Sequence, residues 1–119
     1  MVDWQERGEV TCRVVYGRNY DRLRANVRAL HPALDAWMVL EGYGRTLSRP
    51  GLDLRRRELC TVSQCVVLGA MRQLHSHFRG ARHAGAGQEE IRAALEAARP
   101  YVTTTVMQQV EALWREVQG

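Results

Sequence analysis

Apolar residues recur three and four positions apart along most of the chain, whereas strand-like alternation is almost absent. This periodicity places apolar stripes on helices and predicts an all-α fold, a bundle of about six helices. Turn residues mark the breaks between them, and Pro32 suits the first turn of a new helix. The stretch from Val10 to Tyr16 is expected to be extended or a loop. The predicted helices span residues 20–30, 32–47, 54–69, 71–84, 88–99 and 101–117.

The same spacing predicts which faces of the helices are buried. On the second predicted helix, Leu34, Trp37, Met38 and Glu41 share one face. The third is the most apolar, and we expect it to be buried on more than one side. One side of it carries Leu59, Val62, Val66 and Gly69, and another carries Cys60, Val67 and Ala70.

Length and composition bound the class of protein. With 119 residues, 45% of them hydrophobic and 25% charged, the chain is expected to form a single globular domain over residues 1–119. Its longest apolar run is far shorter than the ~20 residues that a bilayer span needs, and the N-terminus has no secretory pattern. We therefore expect a cytoplasmic protein that does not associate with membranes. Cys12, Cys60 and Cys65 are expected to be reduced.

All 17 basic residues are arginine, which gives the chain a formal net charge of +4. Guanidinium groups bind carboxylates and phosphates in planar pairs, so nucleic acid has to be considered as a partner. The arginines are nevertheless spread along the whole chain, without interleaved aromatic residues or a nucleic-acid-binding motif. We therefore expect no nucleic-acid partner.

Two sequence stretches form a recognisable pattern. The first is YGRTLSRPGLD at residues 43–53, followed by REL at 57–59. The second is QLHSHFRGA at 73–81, followed by AG at 84–85 and EEI at 89–91. Together they resemble the carboxymuconolactone decarboxylase family. The resemblance covers roughly residues 16–95, and it implies an AhpD-like helical bundle that assembles as a homo-oligomer, a trimer or a hexamer.

The same superfamily contains AhpD-like disulfide reductases, whose helix carries a glutamate, a Cys-x-x-Cys pair and a histidine. Glu58 and His77 match the glutamate and histidine of that pattern, whereas Ala70 and Gln73 stand at the cysteine positions. Dithiol chemistry needs two sulfur atoms within bonding reach, so that site cannot support it here. Cys60 and Cys65 are no substitute, because residues five apart on a helix point to different sides; both are expected to be small buried side chains.

The resemblance implies a cofactor-independent lyase. The family's founding reaction removes CO₂ from a conjugated lactone that serves as its own electron sink, so no cofactor is required. The protein must bind carboxylates and supply a proton near neutral pH, which suits arginine and histidine. By resemblance, His77 is the candidate general acid or base and Glu58 its partner. The candidates for binding the carboxylates of a small acidic substrate are Arg45, Arg49 and Arg79.

Other interpretations stay open at this level. His75 lies two residues from His77 and faces away from it on an ideal helix, so no histidine metal site is expected. After the Glu-Ile helix, residues 98–105 depart from the segment that founding decarboxylases carry. One scaffold can host several chemistries. A non-catalytic or acid-binding family member is therefore the alternative to a lyase, and a thiol-dependent reductase is a third interpretation.

Overall fold

The computed structural model describes residues 2–118, and within that range it is built from helices without strands. None of the helices described is both long and apolar enough to cross a membrane. Short 3₁₀ turns cover Gly17–Asn19 and Arg99–Tyr101. The helices are α1 (Trp4–Tyr16), α2 (Tyr20–Leu30), α3 (Pro32–Trp37, continued as a π-helix over Met38–Leu47), α4 (Leu54–Leu68), α5 (Met71–His83), α6 (Gln88–Ala98) and α7 (Thr104–Gln118).

All six predicted helices are present, and the structure adds α1 at the N-terminal end. The expectation that Val10 to Tyr16 is extended or a loop was therefore wrong, because these residues form the second half of α1. The buried residues of α1 are spaced as on a helix, but two of them are small or polar and weaken the apolar signal. They are Gly8, Thr11, Cys12 and Val15.

The chain divides into two compact units, one up to Leu54 and one from Arg55 onward. In the first unit, α1 packs along the π-helix and α2 packs against α3. The core of this unit is small, and partly buried side chains such as Leu23 and Met38 pack around it. The buried residues of this core are Cys12, Val15, Tyr20 and Tyr43.

The buried face of this segment differs from the predicted one. Asp35, Val39 and Tyr43 are buried at intervals of four residues, and this stripe lies one position after Leu34 and Met38. Val39, Tyr43 and Gly44 are buried, whereas Leu34 and Trp37 are 44% and 61% exposed. A helix was correctly predicted from Pro32 to Leu47, but its inward face is a different one.

Two glycines allow α1 and the π-helix to cross at backbone distance. A Cβ atom on Gly8 would lie 2.1 Å from the carbonyl oxygen of Val39, and one on Gly44 would lie 2.3 Å from that of Trp4. Real Cβ atoms do not approach backbone oxygens so closely. A side chain at either position would therefore have to push the two helices apart.

The second unit has the larger apolar core, made by α4, α5, α6 and α7. Phe78 of α5 and Trp114 of α7 lie at its centre, with ring centroids 4.9 Å apart. Ser63 of α4 donates a hydrogen bond of 2.8 Å from Oγ to the carbonyl oxygen of Ala94 on α6. These contacts link α5 to α7 and α4 to α6, and all four helices contribute buried residues to the core.

Helix α4 buries one face only, which corrects the expectation of burial on several sides. The inward residues are Glu58, Val62, Cys65 and Val66. Cys60 is exposed, and Val67 is 48% exposed. The prediction that Cys65 is a small buried side chain is thus confirmed, and the same prediction for Cys60 was wrong.

Candidate functional site

Two polar side chains interrupt the apolar stripes of α4 and α5. On α4, Glu58 stands four residues before Val62 and seven before Cys65, so all three share one inward face. On α5, His77 lies beside Phe78 in the buried stripe. Because both stripes face the core of the second unit, the fold brings the carboxylate and the imidazole together.

The two side chains form a buried hydrogen-bonded pair. Nδ1 of His77 lies 2.7 Å from Oε2 of Glu58. Glu58 is 0% exposed and His77 is 9% exposed. The second carboxylate oxygen, Oε1, is buried and has no hydrogen-bond partner among the residues that the structure describes. A carboxylate oxygen in this state is costly to bury, and such atoms occur preferentially where function requires them.

This geometry determines which ring nitrogen of His77 can exchange a proton with a substrate. With Glu58 ionised, Nδ1 carries the proton and donates it to Oε2, which fixes the tautomer and the orientation of the ring. Nε2 is then the nitrogen that can accept or release a proton. An imidazole held in this way can act as a general acid or a general base.

Cys65 is a neighbour of this pair that the sequence analysis did not connect with it. Burial raises the pKa of the Cys65 thiol, and the negative charge of Glu58 raises it further. Only the thiolate is a strong nucleophile, so this cysteine is held in its unreactive form. The spacing of seven residues between Glu58 and Cys65 was the signal that could have placed the two on one face.

The three arginines predicted to bind substrate lie in different surroundings. Arg45, on the π-helix, is exposed and pairs with Glu41, with Nε and Oε2 3.8 Å apart. Arg49 follows that helix and lines a cavity of the first unit. Arg79, on α5, lines a small cavity of the second unit together with Arg82, His83 and Val117, so neither member of the Glu58–His77 pair lines it. Their role in binding substrate stays a prediction.

No group of three or more His, Cys, Asp or Glu side chains within residues 2–118 is placed to hold a metal ion. His75 is half-buried on α5, two residues before His77. Two residues correspond to roughly 200° of rotation around an α-helix, so the two rings leave the helix in nearly opposite directions.

These features define a class: an all-α protein of AhpD-like fold that carries a buried carboxylate–imidazole pair on neighbouring helices. The sequence model of the carboxymuconolactone decarboxylase family matches residues 19–116, and the chain belongs to that family. No curated protein matches the sequence. Helix α1, which ends at Tyr16, lies outside the residues that the family model matches.

Proposed function

We propose that this protein is a cofactor-independent lyase that acts on a small conjugated lactone or a related carbonyl acid. The observation that carries the proposal is the hydrogen bond between His77 and the buried carboxylate of Glu58, in a chain of the carboxymuconolactone decarboxylase family. In the proposed reaction, His77 is the general acid or base. Glu58 is a positioning residue, which holds the imidazole ring and its tautomer.

The proposed step uses only groups that the substrate and the protein supply. The bond between the ring carbon and its carboxylate breaks, and its electron pair moves into the conjugated lactone carbonyl as CO₂ leaves. The resulting dienolate then takes a proton from Nε2 of His77 at its distal carbon, which shifts the double bond. His77 is left neutral and regains its proton from water.

The thiol-dependent alternative has little support. Ala70 and Gln73 stand where the related reductases carry their two cysteines. Cys65 is buried, and its pKa is raised by burial and by the charge of Glu58. A nucleophilic thiol requires the opposite surroundings, namely exposure and a lowered pKa.

We also propose that the chain acts as a homo-oligomer in the cytoplasm. In the second unit, Val67, Leu68 and Tyr101 are exposed by 48%, 79% and 75% and line one apolar groove. Apolar surface of this kind is typical of a protein that covers it by association. The trimer or hexamer implied by the resemblance, and a single domain over the whole chain, stay predictions.

The test is a spectrophotometric assay of 4-carboxymuconolactone turnover by wild type and three variants. We expect His77→Gln to lower kcat by about 100-fold or more, because a general acid is lost. Glu58→Gln should retain part of the activity and change the pH profile of kcat, because the buried charge hydrogen-bonded to His77 is removed. His75→Gln, on the same helix, is the matched control and should behave as wild type. Circular dichroism checks that each variant is folded.

The outcomes separate the competing functions. If His77→Gln turns over the lactone as fast as wild type does, the proposed role of His77 is contradicted. Binding of the lactone without product would favour the acid-binding alternative over the lyase. A change in kcat for Glu58→Gln without a shifted pH profile would reduce Glu58 to a purely structural residue.

A further inference from the structure

We infer that the first unit contains a separate binding site for a small monocarboxylic acid with an apolar body, formed by α1 and the turn after the π-helix. A cavity of about 620 Å³ lies between these two elements. This volume is within the range of roughly 300–1,000 Å³ typical of small-molecule sites. The residues that carry the inference are Arg7, Val10, Thr11, Leu47, Arg49 and Leu52.

Helix α1 is held against the π-helix so closely that the cavity is preformed. Gly8 and Gly44 are both buried at the crossing and leave no room for a Cβ atom. Arg7 precedes Gly8 and donates from Nε to Oγ of Ser48 at 3.3 Å, and its Nη2 donates to the carbonyl oxygen of Ser48. These bonds fix the start of the turn relative to α1, so one wall of the cavity is tied to the other.

The walls combine apolar surface with directed donors. Val10 and Leu52 are 60% and 42% exposed and give the cavity an apolar surface. Arg7 uses Nε and Nη2 on Ser48, and its remaining nitrogen, Nη1, makes no hydrogen bond within residues 2–118. Arg49 brings a second guanidinium to the same cavity. Guanidinium donors beside apolar walls suit a carboxylate attached to a ring or a short chain.

The rim limits the ligand to one negative charge. Glu6 and Asp53 also line the cavity and offset the two guanidinium charges. A monocarboxylate can take donors from Arg7 or Arg49, whereas a second carboxylate would face these acids and be repelled. Helix α1 lies outside the part of the chain that the family model matches, whereas the turn lies inside it.

Isothermal titration calorimetry with benzoate as the probe tests this inference. Benzyl alcohol, which has a similar shape but no charge, is the matched control ligand. We expect benzoate to bind, and benzyl alcohol to bind about tenfold more weakly or worse, because hydrogen bonds to a charged group are lost. Arg49→Met should weaken benzoate binding by a similar factor. Arg18→Met, at an exposed arginine that does not line the cavity, is the control and should leave it unchanged.

Arg7→Met should also weaken binding, but it removes the bonds to Ser48 and can loosen the turn. Wild-type protein therefore supplies a second measurement. The methyl NMR signals of Val10, Leu47 and Leu52 should move with benzoate and move less with benzyl alcohol at equal concentration. His77→Gln should bind benzoate as wild type does, which separates this site from the proposed lyase chemistry. The inference is overturned by absent benzoate binding, by equal binding of the two ligands, or by full affinity in Arg49→Met.

Discussion

The two units each bury a carboxylate, Asp35 in the first and Glu58 in the second, and the two are satisfied differently. Both oxygens of Asp35 are paired: Arg24 donates to Oδ1 and Oδ2, and Arg28 donates to Oδ2 at 2.9 Å. Glu58 has one oxygen on His77 and one without a hydrogen-bond partner among the described residues. Asp35 is neutralised by permanent charges, whereas Glu58 faces a group that can gain or lose a proton. The first arrangement suits stability, and the second suits proton transfer.

The largest expected effect comes from removing the fully paired carboxylate. In Asp35→Ala, the guanidinium of Arg24 loses its partner while its side chain is only 15% exposed. Breaking a buried pair from one side typically costs about 3 kcal/mol or more. We expect a loss of this size in the free energy of unfolding, measured by urea denaturation. Asp21→Ala, at an exposed aspartate of α2, is the control and should change stability little. An equally small loss in Asp35→Ala would remove the distinction between the two carboxylates.

Lowering the pH should reduce the difference in the free energy of unfolding between wild type and Asp35→Ala. The hydrogen bond from Arg24, assisted by Arg28, lowers the pKa of Asp35 in the folded protein. The unfolded chain therefore binds more protons below about pH 4, the ordinary value for aspartate, and the stabilisation by Asp35 is lost as the pH falls towards its folded pKa. Urea midpoints measured from pH 6 to pH 2 should converge for the two proteins. If the urea midpoints of the two proteins differ by the same amount at every pH, the charge of Asp35 does not account for its contribution to stability.

The smallest effect on stability is expected for Glu58→Gln. The amide keeps an oxygen acceptor for Nδ1 of His77, and it removes a negative charge that is 0% exposed. Its NH₂ group takes the place of an oxygen that had no partner, so little is gained or lost. We expect the free energy of unfolding to change by no more than about 1 kcal/mol. A loss as large as that of Asp35→Ala would show that Glu58, too, is chiefly a structural acid.

The sequence was sufficient to predict the helices, but not the buried face of every helix. Periodicity predicted the six helices from Tyr20 onward, and the family resemblance implied Glu58 and His77, which do lie in contact. The face of the segment from Pro32 to Leu47 was wrong because its buried stripe begins with a charged residue, Asp35, which a search for apolar positions does not select.

The other errors have physical reasons too. Helix α1 was missed because Gly8 and Thr11 occupy its buried face, and neither reads as apolar. Asp35 was not anticipated, because its burial depends on how α2 and α3 pack, which brings Arg24 and Arg28 to it. The three candidate arginines could be named from the sequence, but a long side chain reveals its surroundings only in the folded protein.

The crossing at Gly8 and Gly44 restricts substitution at both positions. Each position excludes every other amino acid for the same reason, a backbone oxygen of the opposite helix, so a change at one cannot be rescued by a smaller residue at the other. Gly42, on the same π-helix, has open space around it and is under no such restriction. Helix α1 and the π-helix can therefore keep their present distance only with glycine at both positions, whereas position 42 has room for a side chain.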